Sequence, residues 1–287
     1  MSEMQNIQWF PGHMTKTIRQ IQASLKLVDA VAEIIDARIP VSSRNPDLAK
    51  LIQNKPKIIL LIKCDMANQT ATKMWIDHFA KEGITAFAVD CKSGKGLNQF
   101  APAVNKVMSE KISRLKAKGM VNPMMRVMIV GIPNVGTSSF INKIAKQNRA
   151  KVEDRPGVTR GNQWFTIAKN LEMLDTPGVL WPKFDDKIVG ERLAFTGAVK
   201  DQVIDIELLA VRLLDFLKQL KPKDFITRFK FEDTDIENMD SYELLKAIGK
   251  KRGMLISGGE INTERAAIML LDEFRSAKLG RITVEMP

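Results

Sequence analysis

The chain has 287 residues, a formal net charge of +11 and a pI near 9.6, long enough to bury an α/β core with a second, smaller domain beside it. Two cysteines, Cys64 and Cys91, and two histidines, His13 and His78, are too few for a disulfide framework or a structural zinc site, so the thiols read as reduced and the chain as cytoplasmic. Residues 1–21 hold no basic cluster followed by an apolar block, and no run of eighteen apolar residues occurs, which argues against a secretory signal and a membrane span. The basic excess points to a polyanionic partner; a solvated basic surface is the alternative. In chain order, apolar runs bounded by turn signals predict buried parallel strands at 28–35, 57–62, 84–89, 126–130 and 171–174. Helical patterns occupy 15–27, 46–53, 71–81, 97–118 and 138–146. Their alternation predicts a doubly wound α/β sheet.

After Trp181-Pro182-Lys183 the pattern changes. Ile206, Leu209, Leu213, Phe216 and Leu220, then Leu244, Leu245 and Ile248, then Ala267, Leu270, Leu271 and Phe274, recur at three- and four-residue spacing. This is a helical domain, so the boundaries are 1–182 and 183–287. Asp240-Ser241 signals a helix start and Gly249 a stop, with Lys250, Lys251 and Arg252 in the turn beyond.

Gly131-Ile-Pro-Asn-Val-Gly-Thr-Ser-Ser139 has the spacing of a phosphate-binding loop between a strand and a helix. Its backbone N–H groups and helix N-terminus suit a phosphate, with Asn134, Val135, Gly136, Thr137, Ser138 and Ser139 around it. Thr137 stands where the loop's lysine belongs, and Ser138 holds the position of a Mg²⁺-ligating hydroxyl. Further on, Asp175-Thr-Pro-Gly178 closes a strand on an acid and a glycine turn. In a nucleotide-hydrolysing P-loop fold Asp175 would hold Mg²⁺ through water and the Gly178 amide would meet the γ-phosphate. Thr159, at the end of Arg155-Pro-Gly-Val-Thr159, would complete the metal shell.

A base-recognition element precedes the phosphate loop. The strand 57–62 runs into Ile62-Lys63-Cys64-Asp65, whose carboxylate suits the paired donors of guanine, and Asp90-Cys91 ends the next strand beside it. The motif order is base, base, phosphate, switch, metal, a circular permutation of the usual P-loop GTPase order. A parallel sheet tolerates it because ligands bind at the carboxyl ends of strands whatever their order.

Ile7-Gln-Trp-Phe-Pro-Gly-His-Met14, Asp36-Ala-Arg38 with Ser42-Ser-Arg-Asn-Pro46, Leu174 to Lys183 and Ala247 to Gly253 make the chain resemble the circularly permuted GTPases of ribosome assembly, specifically the bacterial ribosome biogenesis GTPase A family, almost end to end. The resemblance implies a P-loop GTPase-like sheet with permuted motif order and a C-terminal all-helical domain. It also implies GTP and GDP binding with Mg²⁺, and hydrolysis stimulated by the ribosome late in large-subunit maturation. The implied partners are the large ribosomal subunit and its rRNA, contacted by the helical domain, with no membrane and a monomer off the ribosome. Two residues depart from the family pattern: Thr137 replaces the phosphate-loop lysine, and Ile62 replaces the asparagine of Asn-Lys-x-Asp. Their loss predicts nucleotide affinity weaker by roughly 10²–10³-fold.

Val179 stands where a typical GTPase carries a water-orienting glutamine, and the resemblance assigns that job to His13. Without the family, His13 reads as an ordinary histidine in a Pro-Gly turn. Trp9 and Phe10 suit either RNA stacking or packing, and the basic run 106–118 suits an RNA-facing stripe or a solvated helix face. Lys250, Lys251, Arg252, Arg265, Arg275 and Lys278 are the stronger RNA-binding candidates, in a domain with no other evident chemistry. The competing reading is a hydrolysis-deficient RNA-docking assembly factor of the same fold. An ATP-using P-loop enzyme fits less well, because Asp65 suits guanine.

Overall fold

A computed structural model describes residues 14–147, 151–153, 163–180, 186–199, 201 and 204–287. The chain divides into two compact units, one of Phe10–Pro182 with Glu285–Pro287 and one that includes Lys183–Val284. The last three residues, which the sequence pattern assigns to the helical domain, therefore belong with the sheet.

In the first unit, helix α1 (Met14–Leu25) precedes strand β1 (Ala30–Asp36), which is buried along its whole length. Helix α2 (Pro46–Leu51) leads to β2 (Lys57–Ile62), and α3 (Gln69–Lys81) to β3 (Thr85–Val89). The predicted long helix over 97–118 is broken: a 3₁₀ turn (Leu97–Gln99) is followed by α4 (Phe100–Val107) and α5 (Ser109–Ala117). Met108, at φ −101° and ψ 6°, interrupts the helical path and is buried. Then come β4 (Met125–Gly131), α6 (Thr137–Gln147), β5 (Lys151–Glu153), β6 (Gln163–Ala168) and β7 (Leu171–Asp175).

These strands form one seven-stranded sheet in the order β3-β2-β1-β4-β7-β6-β5. The five strands expected from apolar runs are parallel. Two strands outside the five expected add an antiparallel edge, where β6 pairs antiparallel to β7 and β5 antiparallel to β6. Lys169-Asn170 between β6 and β7 makes a two-residue hairpin, a connection that only antiparallel strands allow.

The chain builds β1, β2 and β3 outward in one direction and then returns to place β4 and β7 on the other side of β1. The order thus reverses between β1 and β4, and a crevice at the carboxyl ends of those strands is where such sheets bind ligands. The register puts Asp36 opposite Ile62, Ile62 opposite Val89 and Asp175 opposite Ile129. Every motif read from the sequence in this unit, apart from those outside the described residues, therefore emerges at one edge.

The second unit is helical, with α7 (Lys187–Phe195), α8 (Ile206–Leu220), α9 (Lys223–Phe229), α10 (Asp233–Asn238), α11 (Ser241–Lys251) and α12 (Thr263–Arg275). Leu209, Leu213, Leu244, Leu245, Ile248, Leu270 and Leu271 meet in its core. Asp240 and Glu243 form a capping box at the start of α11. Gly249 is not the stop expected of it, since α11 runs on to Lys251. A Cβ at Gly249 would lie 2.6 Å from Ile261 Cγ2, so glycine serves close packing there. The described residues include no helix long and apolar enough to cross a membrane.

Candidate functional site

The phosphate loop joins β4 to α6. Gly131 ends the strand under its neighbour: a Cβ there would sit 2.9 Å from the Ile34 carbonyl oxygen. Asn134 (φ 57°) and Gly136 (φ 115°) both take left-handed backbone, which turns the chain sharply into the helix. Val135 is buried and Asn134, Ser138 and Ser139 are exposed. The first turn of α6 presents N–H groups that lack intrahelical partners, the usual basis of an anion site. Thr137 Oγ1, at the lysine position, is buried and has no hydrogen-bond partner among the described residues.

On the base side, Ile62 is 1 % exposed and its Cδ1 packs on Gly136. Lys63, itself at φ 57°, extends its ammonium to the Asp36 carboxylate at 3.1 Å and to the Asn134 carbonyl at 3.2 Å. It ties the base element to the phosphate loop. Asp36 is fully buried and also binds the Arg38 guanidinium through both oxygens, at 2.9 and 2.8 Å. Burial opposes ionisation of Asp36, yet the charges of Arg38 and Lys63 and the Arg38 hydrogen bonds hold its carboxyl well below the usual carboxylate range. Asp36 and Arg38 matter to this edge more than the sequence pattern suggests; the signal was their place directly after a buried strand.

Asp65 is half-buried and faces Lys92 at 3.3 Å. Asp90 is engaged by its own loop: Oδ1 accepts from the N–H groups of Lys92 (2.7 Å) and Ser93 (3.3 Å), and Oδ2 from the Ser93 hydroxyl. Desolvation opposes these bonds, and the net effect lowers its carboxyl. Lys143 of α6 donates to the Lys92 carbonyl at 2.9 Å, linking that loop to the phosphate-loop helix. Cys64 and Cys91 are half-buried and free. Burial pushes both thiols up, Cys91 to about 11, so they stay protonated at neutral pH.

Asp175 ends β7. Burial raises its carboxyl, only partly offset by the Thr176 backbone hydrogen bond, and no ion pair to it occurs among the described residues. Thr176 donates its hydroxyl to the Ile129 carbonyl at 2.6 Å. A Cβ on Gly178 would lie 2.8 Å from the Pro133 nitrogen, so only glycine lets this segment lie on the phosphate loop. Val179 is 1 % exposed and is held by backbone: its N–H donates to the Gly131 carbonyl at 3.0 Å, and its carbonyl accepts from Asn45 Nδ2 at 3.0 Å. Asn45 belongs to the Ser42–Pro46 motif, but its local signal is that of a helix cap before Pro46, and nothing local marks its bond to Val179. The described residues contain no cluster of three His, Cys, Asp or Glu able to hold a metal. Mg²⁺ needs no such cluster when phosphates and water complete its shell, and Asp175, a desolvated carboxylate, with the Ser138 hydroxyl is a fitting pair of hard oxygen donors. His13 and Thr159 lie outside the described residues, as do Trp9 and Phe10.

In the helical unit the six basic candidates differ in availability. Lys250, Arg265 and Lys278 are exposed. Lys251 donates to the Lys230 carbonyl and sits 4.4 Å from the Phe231 ring centroid. Arg252 lies over Phe229 and within 3.7 Å of Glu273. Arg275 is committed internally, to Asp201 and to the carbonyls of Ala194 and Phe195.

A family described as 50S ribosome-binding GTPase matches residues 126–248. The chain is 48% identical over 281 residues to ribosome biogenesis GTPase A of Bacillus licheniformis, covering 98% of each. It is 32% identical to ribosome biogenesis GTPase A of Thermotoga maritima, covering 97% of this chain and 94% of that one. Among solved structures, a GDP-bound structure of TM YlqF superposes with a TM-score of 0.68 at 28% identity, over 94% of this chain and 99% of that chain. GNP-bound YlqF from T. maritima gives 0.67 at 27%, over 95% and 98%.

Proposed function

The chain belongs to the ribosome biogenesis GTPase A family, and on that premise we propose that it binds GTP and GDP with Mg²⁺ and hydrolyses GTP when bound to the ribosome, late in large-subunit maturation. The observation that carries this reading is the meeting of three segments at one sheet edge: the phosphate loop, Lys63 reaching it at 3.2 Å, and Gly178 lying on it. Asp65 would take the guanine edge, with Ile62, Cys64 and Cys91 walling the base. Asp90 braces the neighbouring loop. Asn134, Val135, Gly136, Thr137, Ser138 and Ser139 would surround the phosphates.

Ser138, Thr159 and, through water, Asp175 would hold Mg²⁺, which when bound neutralises phosphate charge in the transition state. The Gly178 amide would meet the γ-phosphate. Val179, buried and apolar, leaves the attacking water to another group, and His13 is assigned that role by family resemblance. Lys250, Arg265 and Lys278, with Lys251 and Arg252 beside them, would face rRNA; Arg275 supports the helices instead. The setting is cytoplasmic, with a monomer off the ribosome.

Thr137 and Ile62 favour a second reading, an RNA-docking assembly factor of the same fold without hydrolysis. A buried hydroxyl without a partner among the described residues stands at the lysine position, and a methyl group fills the space above Gly136. Competition binding of GTP, GDP and ATP, followed by turnover with purified large subunits, separates the two. Guanine-selective binding with stimulated turnover supports the first; selective binding without turnover supports the second. Equal binding of ATP would sink the proposed base site.

A further inference from the structure

Asn45 and Val179 are 134 residues apart in sequence, yet a buried hydrogen bond joins them. The orientation of the Asn45 amide follows from its neighbours. Its oxygen accepts from the N–H groups of Asp47 (2.9 Å) and Leu48 (3.2 Å), capping α2. Its nitrogen is left facing the Val179 carbonyl; the reversed amide would oppose donor to donor and acceptor to acceptor. Both polar backbone groups of Val179 are therefore held, the N–H by Gly131 at the root of the phosphate loop and the carbonyl by Asn45. The loop that carries Asn45 is itself anchored. Ser43 Oγ accepts from the Asp36 N–H at 3.0 Å, and Arg44 pairs with the buried Glu33 at 3.2 Å.

We propose that Asn45 is a positioning residue for nucleotide discrimination, holding residues 176–180 on the phosphate loop in an arrangement that a γ-phosphate must disturb. The inference rests on the guanine-nucleotide reading above. Asn45 acts through Val179 and touches no nucleotide. A Gly178 amide turning toward a γ-phosphate has to drag the Val179 peptide with it, and that movement breaks the Asn45 bond. Removing the donor makes the movement easier and shifts preference toward the triphosphate. The loss of one buried hydrogen bond, about 1 kcal/mol net, corresponds to roughly fivefold.

Asn45→Asp and Asn45→Ser keep an oxygen for the α2 cap and lose the amide nitrogen that reaches the Val179 carbonyl. Two measurements test the pair, after melting curves show both variants folded. Hydrogen exchange without nucleotide should be at least about fivefold faster across 176–180, while the amides of Asp47 and Leu48 keep their protection. In a Thr137→Lys background, the ratio of affinities for a non-hydrolysable GTP analogue and GDP should move about fivefold toward the analogue. Unchanged exchange, or faster exchange with an unchanged ratio, would overturn the proposal. A parent chain binding neither nucleotide would overturn the guanine-nucleotide reading and the discriminating role with it, recognisable because the variants would still exchange faster.

Discussion

Ile62 Cδ1 stands 2.6 Å from the position that a Cβ on Gly136 would occupy, so the base element and the phosphate loop meet through one methyl group and one missing side chain. Two outcomes follow from that contact. Gly136→Ala combines the clash with a left-handed backbone at φ 115° and should destabilise the sheet unit by about 1–3 kcal/mol. Ile62→Asn restores an amide to the base element and should raise guanine-nucleotide affinity a few-fold, at about 1–3 kcal/mol in stability for a buried polar group. Denaturant melts and calorimetry with GTP and ATP measure both; an equal gain for ATP counts against the base site.

Thr137 invites two substitutions with opposite aims. Thr137→Lys supplies a cation to a cradle of backbone donors and should strengthen GTP binding at least about tenfold, since charge-assisted bonds contribute about 1.5–3 kcal/mol. Thr137→Val removes a buried hydroxyl that has no partner among the described residues and should leave stability unchanged or raise it by up to about 1 kcal/mol. Tight GTP binding by the parent with no gain from lysine would contradict this account of the loop.

Asp36→Asn should be among the most damaging single changes in the sheet unit. It removes the charge paired with the buried Arg38 guanidinium and one of the two acceptors of Lys63, and breaking such a pair costs about 3–5 kcal/mol. The linkage has a definite sign. The folded carboxyl titrates below its ordinary value of 3.8, so its contribution is fully present above that pH and is lost progressively as pH falls from there through the folded value. Parent and variant melts should therefore differ most between neutral pH and about pH 4, and converge in stronger acid.

Asp175 behaves in the opposite way. Burial raises its carboxyl above 3.8, so the folded state favours the protonated form, and the ionised group detracts from stability above that window. Asp175→Asn should raise the neutral-pH melting temperature while removing the Mg²⁺ dependence of GTP binding. In the parent, Mg²⁺-dependent affinity should fall as pH drops through the raised value, because a proton then competes for the carboxylate. Retained Mg²⁺ dependence in Asp175→Asn would assign the metal to other oxygens.

For RNA, charge reversal of Lys250, Arg265 and Lys278 is the cleaner test, because Lys251 and Arg252 also pack on Phe231 and Phe229. The triple variant should sediment less with large subunits and keep its nucleotide affinity. The slope of log affinity against log salt should fall by about 0.7–0.9 for each phosphate that the variant no longer neutralises. Equal pelleting at every salt concentration would move the RNA surface to the basic stripe at 106–118.

The sequence by itself determined the five parallel strands, the helical second unit and the permuted motif order, because apolar runs, 3.6-residue periodicity and glycine turns are local signals that survive without tertiary context. It also located Thr137 and Ile62 as departures. Tertiary structure decided what depends on which distant residues meet. No glycine or proline marks the break at Met108; Gly249, read locally as a stop, is a packing glycine because Ile261 arrives beside it. The antiparallel edge follows from β6 turning back on β7 through two residues, a pairing that apolar content alone does not orient. The bonds from Asn45 to Val179 and from Glu285 to the Ser42 N–H span 134 and 243 residues. Such long-range bonds are set by strand order and register, which place side chains from remote segments at one edge, and no local pattern encodes them.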